Sequence, residues 1–372
     1  ILGAMTQFVP VWSGVALYSR RLAVAQLPLA ALGFAGLAAG FLTGRLALLP
    51  LAGALALAGV WTFCYNLART LADARPFDAT EAHFAVALGW FLVVTALGMV
   101  LALDFAAGVL PFAGITHANV LPAHATAAVF GAVLSTVIGA LYQLATMFTQ
   151  TELSGIERRF QRAETVAYPV GVAALVAGRL LAVDPLARVG VVLVACSLLG
   201  VAVVVANRLR ETRVEWTPML TRYGLAAAAL GTWSLAALVT WVRQPLGATV
   251  TFGAPGTATP LLAGAVALVV LGTLYHVVPF IVWVHRYSDH VGLEPVPMVD
   301  DLYLDRAALV DGVTYPAGIA LVTVGSLVGP VPSVATTAGW VLALVGAVVF
   351  AANLSLVVVE HGEYDIRSLA GV

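Results

Sequence analysis

Stretches of about twenty apolar residues recur along the whole chain, each long enough to cross the roughly 30 Å hydrocarbon core of a bilayer as an α-helix. Within hydrocarbon every backbone N–H and C=O must find its partner inside the protein, so a spanning segment is either a helix or part of a closed barrel. The strict alternation of apolar and polar residues that barrel strands need is absent from the sequence. An all-α polytopic membrane protein is therefore expected. Composition agrees: 61% of the 372 residues are hydrophobic and 10% are charged, more apolar surface than one soluble core can bury. Eleven spans are expected, at about 1–18, 23–43, 46–68, 82–103, 120–149, 165–184, 188–207, 219–242, 258–284, 308–329 and 334–359. The sequence opens on Ile1, already inside an apolar run and without a methionine, so one further helix is expected upstream, twelve in all.

Every basic residue is an arginine, and the arginines are not spread evenly. Arg20, Arg21, Arg69, Arg75, Arg158, Arg159, Arg162, Arg208, Arg210, Arg213, Arg222, Arg286, Arg306 and Arg367 fall on one side of the alternating spans; Arg45, Arg179, Arg188 and Arg243 fall on the other. By the positive-inside rule the first side is cytoplasmic, which places the C-terminus there in a multi-pass protein of the plasma membrane. A net charge of −1 gives no reason to expect a nucleic-acid partner. Cys64 and Cys196 both fall within spans, have no metal or disulfide spacing, and are read as buried packing residues. The longer outer loops, about 104–119 and 243–257, are glycine-rich and poor in charge, as expected of segments ordered against the membrane surface.

The chain also repeats itself. Gly3, Gly139 and Gly272 open the frame G-x-x-[TY]-[QH], giving Thr6-Gln7, Tyr142-Gln143 and Tyr275-His276. The next helix of each unit carries a proline, Pro28, Pro169 and Pro316; the third ends on Asn66, Asn207 and Asn353; the fourth survives in "LGW" at Gly89 and "LGTW" at Gly231. These landmarks recur in the same order at offsets of roughly 135 to 147 residues. One membrane domain over 1–372 is expected, made of three parallel four-helix units at approximately 1–110, 111–250 and 251–372, with the last unit lacking its fourth helix. Many secondary transporters use inverted repeats instead.

Twelve helices in three arcs, each led by a polar-marked helix, resemble the large subunit of the haem-copper oxidase superfamily, which includes terminal oxidases and nitric oxide reductases. "HATAAVFGAVLSTVIGALYQL" from His124 is similar to that superfamily's metal-binding helices. "LGTLYHVVPFIVWVHRY" followed by "EPVPMVDDLY" resembles divergent members akin to the NnrS-type haem- and copper-containing proteins. The resemblance covers nearly the whole chain as topology and only these segments as motifs, and its first helix is the missing upstream one. It implies haem, with copper less expected, and other membrane or redox subunits as partners beside the lipid bilayer. It further implies a copper-ligand histidine at His124 and a His-His pair near the next helix, but that region reads "ETVAYPVGVAAL" and has none. The ninth span would carry haem ligands toward its outer side, where "TATPLLAGAVAL" offers none, and the remaining ligand falls about twelve residues before Gly3, outside the sequence. A full copper-haem catalytic centre is not expected.

Histidine is the usual haem and copper ligand, and an ionisable residue within a span is a functional candidate by default. His124 lies near the outer end of the fifth span and is the expected cofactor and metal ligand. His117 is a second candidate, about 10 Å away along the helix at 1.5 Å per residue, able to bracket a site but not to share one ion. His276 lies some 28 Å below the outer end of its helix and cannot join His124 on one haem. The repeat places it level with Gln7 and Gln143, so that Gln7, Gln143 and His276, with Tyr142 and Tyr275, form a candidate polar cluster or proton path. His285 and His290 belong to the cytoplasmic interface, His83 to a helix start on that side, and the 294–306 connection reads as a solvated loop. The expected function is a haem-associated or accessory subunit of a respiratory or nitrogen-oxide electron-transfer system, an oxidoreductase of the terminal oxidase or nitric oxide reductase type if it is an enzyme. Two alternatives stand beside it: a permease or proton channel through the repeat centre, and a metal-free structural subunit.

Overall fold

A computed structural model describes residues 1–327 and 333–362. Arg367, the side on which the C-terminal tail lies and the last two residues of the span expected to reach 329 are outside the described residues. Eleven helices are described: α1 Leu2–Trp12, α2 Arg20–Thr43, α3 Leu49–Ala72, α4 Ala79–Ala107, α5 His117–Thr149, α6 Gly155–Leu180, α7 Asp184–Arg210, α8 Pro218–Arg243, α9 Pro260–Arg286, α10 Asp305–Leu327 and α11 Ser333–His361. Extended pairing among the described residues is confined to two isolated bridges. Nine of these helices are long and apolar enough to cross a membrane, so the chain is an all-α, multi-pass membrane protein.

The other two are α1 and α6. The span expected over 1–18 is an 11-residue helix, because the chain turns at Ser13 and Gly14, the glycine at φ +63, and Val15 N–H returns to the Pro10 carbonyl. Helix α6 starts ten residues before the expected 165, in a segment carrying Glu157, Arg158, Arg159, Arg162 and Glu164. A capping box starts it: Ser154 accepts from Glu157 N–H, and Glu157 accepts from Ser154 N–H at 2.7 Å. The S-x-x-E signature was legible; the charges hid it.

The described chain groups into two compact units. The first comprises Ile1–Met147, Glu152–Val201 and Ala237–Gly253; the second comprises Phe148–Thr151, Ala202–Ala236 and the described residues from Ala254. Within the first unit α2 and α3 form a hairpin so close that a methyl group on Gly33 would lie 2.2 Å from Ala56 N, and one on Gly59 2.5 Å from Ala30 N. Helices α6 and α7 meet in the same way, with Gly178 against Ala187. In the second unit α10 and α11 do so through Gly318 and Ala343. With no hydrophobic drive between helices in lipid, small residues that let backbones touch are what hold such hairpins. Two repeat asparagines lock the open ends: Asn66 exchanges two hydrogen bonds of 3.0 Å with the Ser19 backbone ahead of α2, and Asn353 does the same with Leu304 ahead of α10, at 2.9 and 3.1 Å.

Helices α5 and α9 each contain a π-helical stretch, Ala127–Leu134 and Pro260–Val266, both starting twelve residues before the frame glycine. Such widened turns are rare and gather at functional sites. Cys64 is buried as expected, whereas Cys196 is exposed. The 294–306 connection is less open than its acidic sequence implies: Leu302 and Tyr303 are buried, and Trp283 donates to the Pro297 carbonyl at 2.7 Å. Burial first, then Asp300 and Asp305, raises the Tyr303 hydroxyl above the ordinary tyrosine range.

Candidate functional site

His124 sits on α5 facing α4. Its Nδ1 lies 3.0 Å from the Val94 carbonyl, and Gly98 leaves room for the ring: a methyl group there would approach Cε1 to 3.1 Å. A carbonyl only accepts, so Nδ1 carries the hydrogen and Nε2 keeps its lone pair. The ring lines a cleft of about 300 Å³ in the first unit, walled by Phe34, Phe41, Phe105, Leu121 and Met99. His117, the first residue of α5, has its Nδ1 2.7 Å from Asp104 and its ring edge-on to Phe105. Asp104 also accepts from Leu110 N–H at 2.8 Å, so this pair fastens the loop between α4 and α5.

Among the described residues no group of three or more His, Cys, Asp or Glu side chains is placed to hold a metal ion, so the donor set does not fit a copper centre. A histidine nitrogen beside an apolar cleft is the kind of donor a haem would take, and His124 lines such a cleft.

Gln7 is exposed and Gln143 half-buried, and neither side chain, nor that of His276, makes a hydrogen bond among the described residues. His276 instead lies edge-on to Phe148 at 4.6 Å and stacks on Phe280 at 5.8 Å. The two tyrosines of the frame are where polar chemistry collects, and each meets a carboxylate that the sequence reading passed over.

In the first unit Tyr142 donates to Glu164 Oε2 at 3.0 Å, and Glu164 Oε1 lies 3.2 Å from His83 Nε2. His83 in turn donates through Nδ1 to the Ala79 carbonyl at 2.7 Å. Both members of the His83–Glu164 pair have fully buried side chains. In the second unit Tyr275 donates to Asp311 Oδ2, and Arg222 pairs with Asp311 Oδ1. Arg222 also donates to the carbonyls of Ala308, at 3.1 Å, and Pro218, at 2.8 Å, and lies 4.4 Å over the Tyr275 ring. Asn353 donates to the Tyr275 oxygen at 3.1 Å. Where the frame has Thr6 in place of tyrosine, a neutral contact remains: Gln26 Nε2 donates to Thr6 Oγ1 at 3.3 Å.

Glu164 and Asp311 each stand five residues before the repeated proline, a spacing the sequence displays. His83 and Arg222 each stand one turn inside a helix that starts at Ala79 or Pro218, which only the observed helix starts reveal. Arg179, read as an outer-side marker, is buried, bonded to the carbonyls of Pro245 and Thr251 and the Thr126 hydroxyl, with Nη2 left without a partner. No family model matches the chain, and no curated protein sequence matches it.

Proposed function

We propose that the protein is a divergent membrane subunit of the haem-copper oxidase type, which holds one haem against His124 and serves a respiratory or nitrogen-oxide electron-transfer system as an electron-transfer or accessory component. The observation that carries the reading is the His124 ring: Nδ1 is committed to the Val94 carbonyl, Nε2 keeps its lone pair, and the ring lines an apolar cleft where it would hold the group. A bound haem would supply one-electron exchange at its iron. The chain's own residues fix the imidazole tautomer and wall the slot with Phe34, Phe41 and Phe105. No step through copper is part of the proposal.

The same reading includes three parallel four-helix arcs, a plasma-membrane location and a cytoplasmic C-terminus. Its support is the shared register of the π-helical stretches in α5 and α9, the matching roles of Asn66 and Asn353, and the one-sided distribution of arginine. The test is an absorbance spectrum of the purified full-length protein, oxidised and reduced. A haem band that disappears in His124→Ala, while His117→Ala retains it, is the expected result. A wild-type protein with no haem absorbance removes the cofactor from the proposal.

A further inference from the structure

We infer that His83 and Glu164 form a proton-binding site inside the membrane domain, holding one exchangeable proton between His83 Nε2 and Glu164 Oε1. The inference does not depend on a haem at His124. It rests on what each atom is able to donate.

The Ala79 carbonyl, 2.7 Å from His83 Nδ1, accepts hydrogen bonds and never donates them, so Nδ1 carries a hydrogen. A neutral ring in that tautomer has a lone pair at Nε2, and an ionised carboxylate has only lone pairs. Two acceptors do not rest 3.2 Å apart in a site with 0% side-chain exposure unless a proton lies between them. The proton belongs to the imidazole or to the carboxyl, and the pair is electrically neutral in both forms. Removing it leaves a buried carboxylate with Tyr142 as its one remaining donor, the arrangement that burial penalises most.

The groups around the pair leave it in charge of this proton. Tyr142, on α5, spends its hydroxyl on Glu164 Oε2; Tyr168, one turn further along α6, spends its own on the Phe130 carbonyl at 2.6 Å. No arginine or second carboxylate bonds to either member among the described residues. The hydrogen-bond chain runs from Tyr142 through Glu164 and His83 and stops at a backbone carbonyl. At the His83 end the chain offers no onward acceptor among the described residues, so the proton is held between His83 Nε2 and the Glu164 carboxyl. Arg222, which faces Asp311 as His83 faces Glu164, has a guanidinium that does not deprotonate in a protein, so its side of that pair carries a fixed charge.

The test uses the full chain in lipid nanodiscs with 15N-histidine and 13C-glutamate, held at pH 8, above the ordinary imidazole pKa of about 6.5. Solid-state NMR is expected to show a histidine with both nitrogens protonated, or a protonated glutamate carboxyl, in either case correlated with its His–Glu partner. That signal disappears in His83→Arg and in Glu164→Gln, and it persists in Tyr142→Phe. His117 with Asp104 and His290 with Glu294 are partly exposed pairs, so any signal of theirs survives the first two substitutions. A wild-type protein lacking both the doubly protonated ring and the protonated carboxyl, or a signal unchanged by His83→Arg, overturns the inference.

Discussion

The His83–Glu164–Tyr142 cluster of the first unit and the Arg222–Asp311–Tyr275 cluster of the second are built alike and behave differently. In each, a base one turn into a helix meets a carboxylate five residues before a proline, and a frame tyrosine donates to the second carboxylate oxygen. Arginine brings a fixed charge and two carbonyl partners besides the carboxylate, so the second cluster is held at more points. Histidine brings two ring nitrogens, one spent on the Ala79 carbonyl and one facing Glu164, so the first cluster is held at fewer points. A common scaffold thus carries a fixed guanidinium charge in one place and an imidazole in the other, and one side chain makes the difference.

The largest expected effect separates the two directly. Asp311→Ala strands a buried guanidinium, and breaking a buried pair this way costs about 3–5 kcal/mol, read as a fall in the thermal unfolding midpoint in detergent. Glu164→Ala is expected to cost less, about 1–3 kcal/mol, because the orphaned imidazole can stay neutral. Equal losses would mean that the histidine is as firmly charged as the arginine. Next come the tyrosines: Tyr275→Phe removes bonds to both Asp311 and Asn353, and Tyr142→Phe removes one, with about 1 kcal/mol expected per bond. A Tyr142→Phe loss larger than that of Tyr275→Phe would undo the ranking. His83→Arg adds bulk and a fixed charge at a fully buried position, and overpacking of that kind is expected to cost about 1–3 kcal/mol, read in the same unfolding measurement.

Much of this was legible beforehand. The apolar stretches gave the helical class, the G-x-x-[TY] frame pointed at Tyr142 and Tyr275, and His124 stood out as an imidazole near the outer end of a span. Gln7, Gln143 and His276 drew attention because they follow the frame residue and look polar in a row; on a helix, one residue further on is about 100° around, and that face of α9 carries Phe280 and meets Phe148. The carboxylates were missed although their spacing from Pro169 and Pro316 was available, since Glu164 lies in a run of charges that resembles a solvated loop.

The sequence by itself determined that the chain crosses a membrane as helices and where most of them lie, because burying twenty apolar residues in hydrocarbon leaves the backbone no other way to satisfy its hydrogen bonds. Which polar groups meet was decided only by tertiary structure. The start of α4 at Ala79 and of α8 at Pro218 sets which way His83 and Arg222 face, and the glycine-tight hairpins set how close their neighbours come. A buried charge is tolerated only where packing brings its partner within hydrogen-bond distance, and that distance is a property of three helices at once.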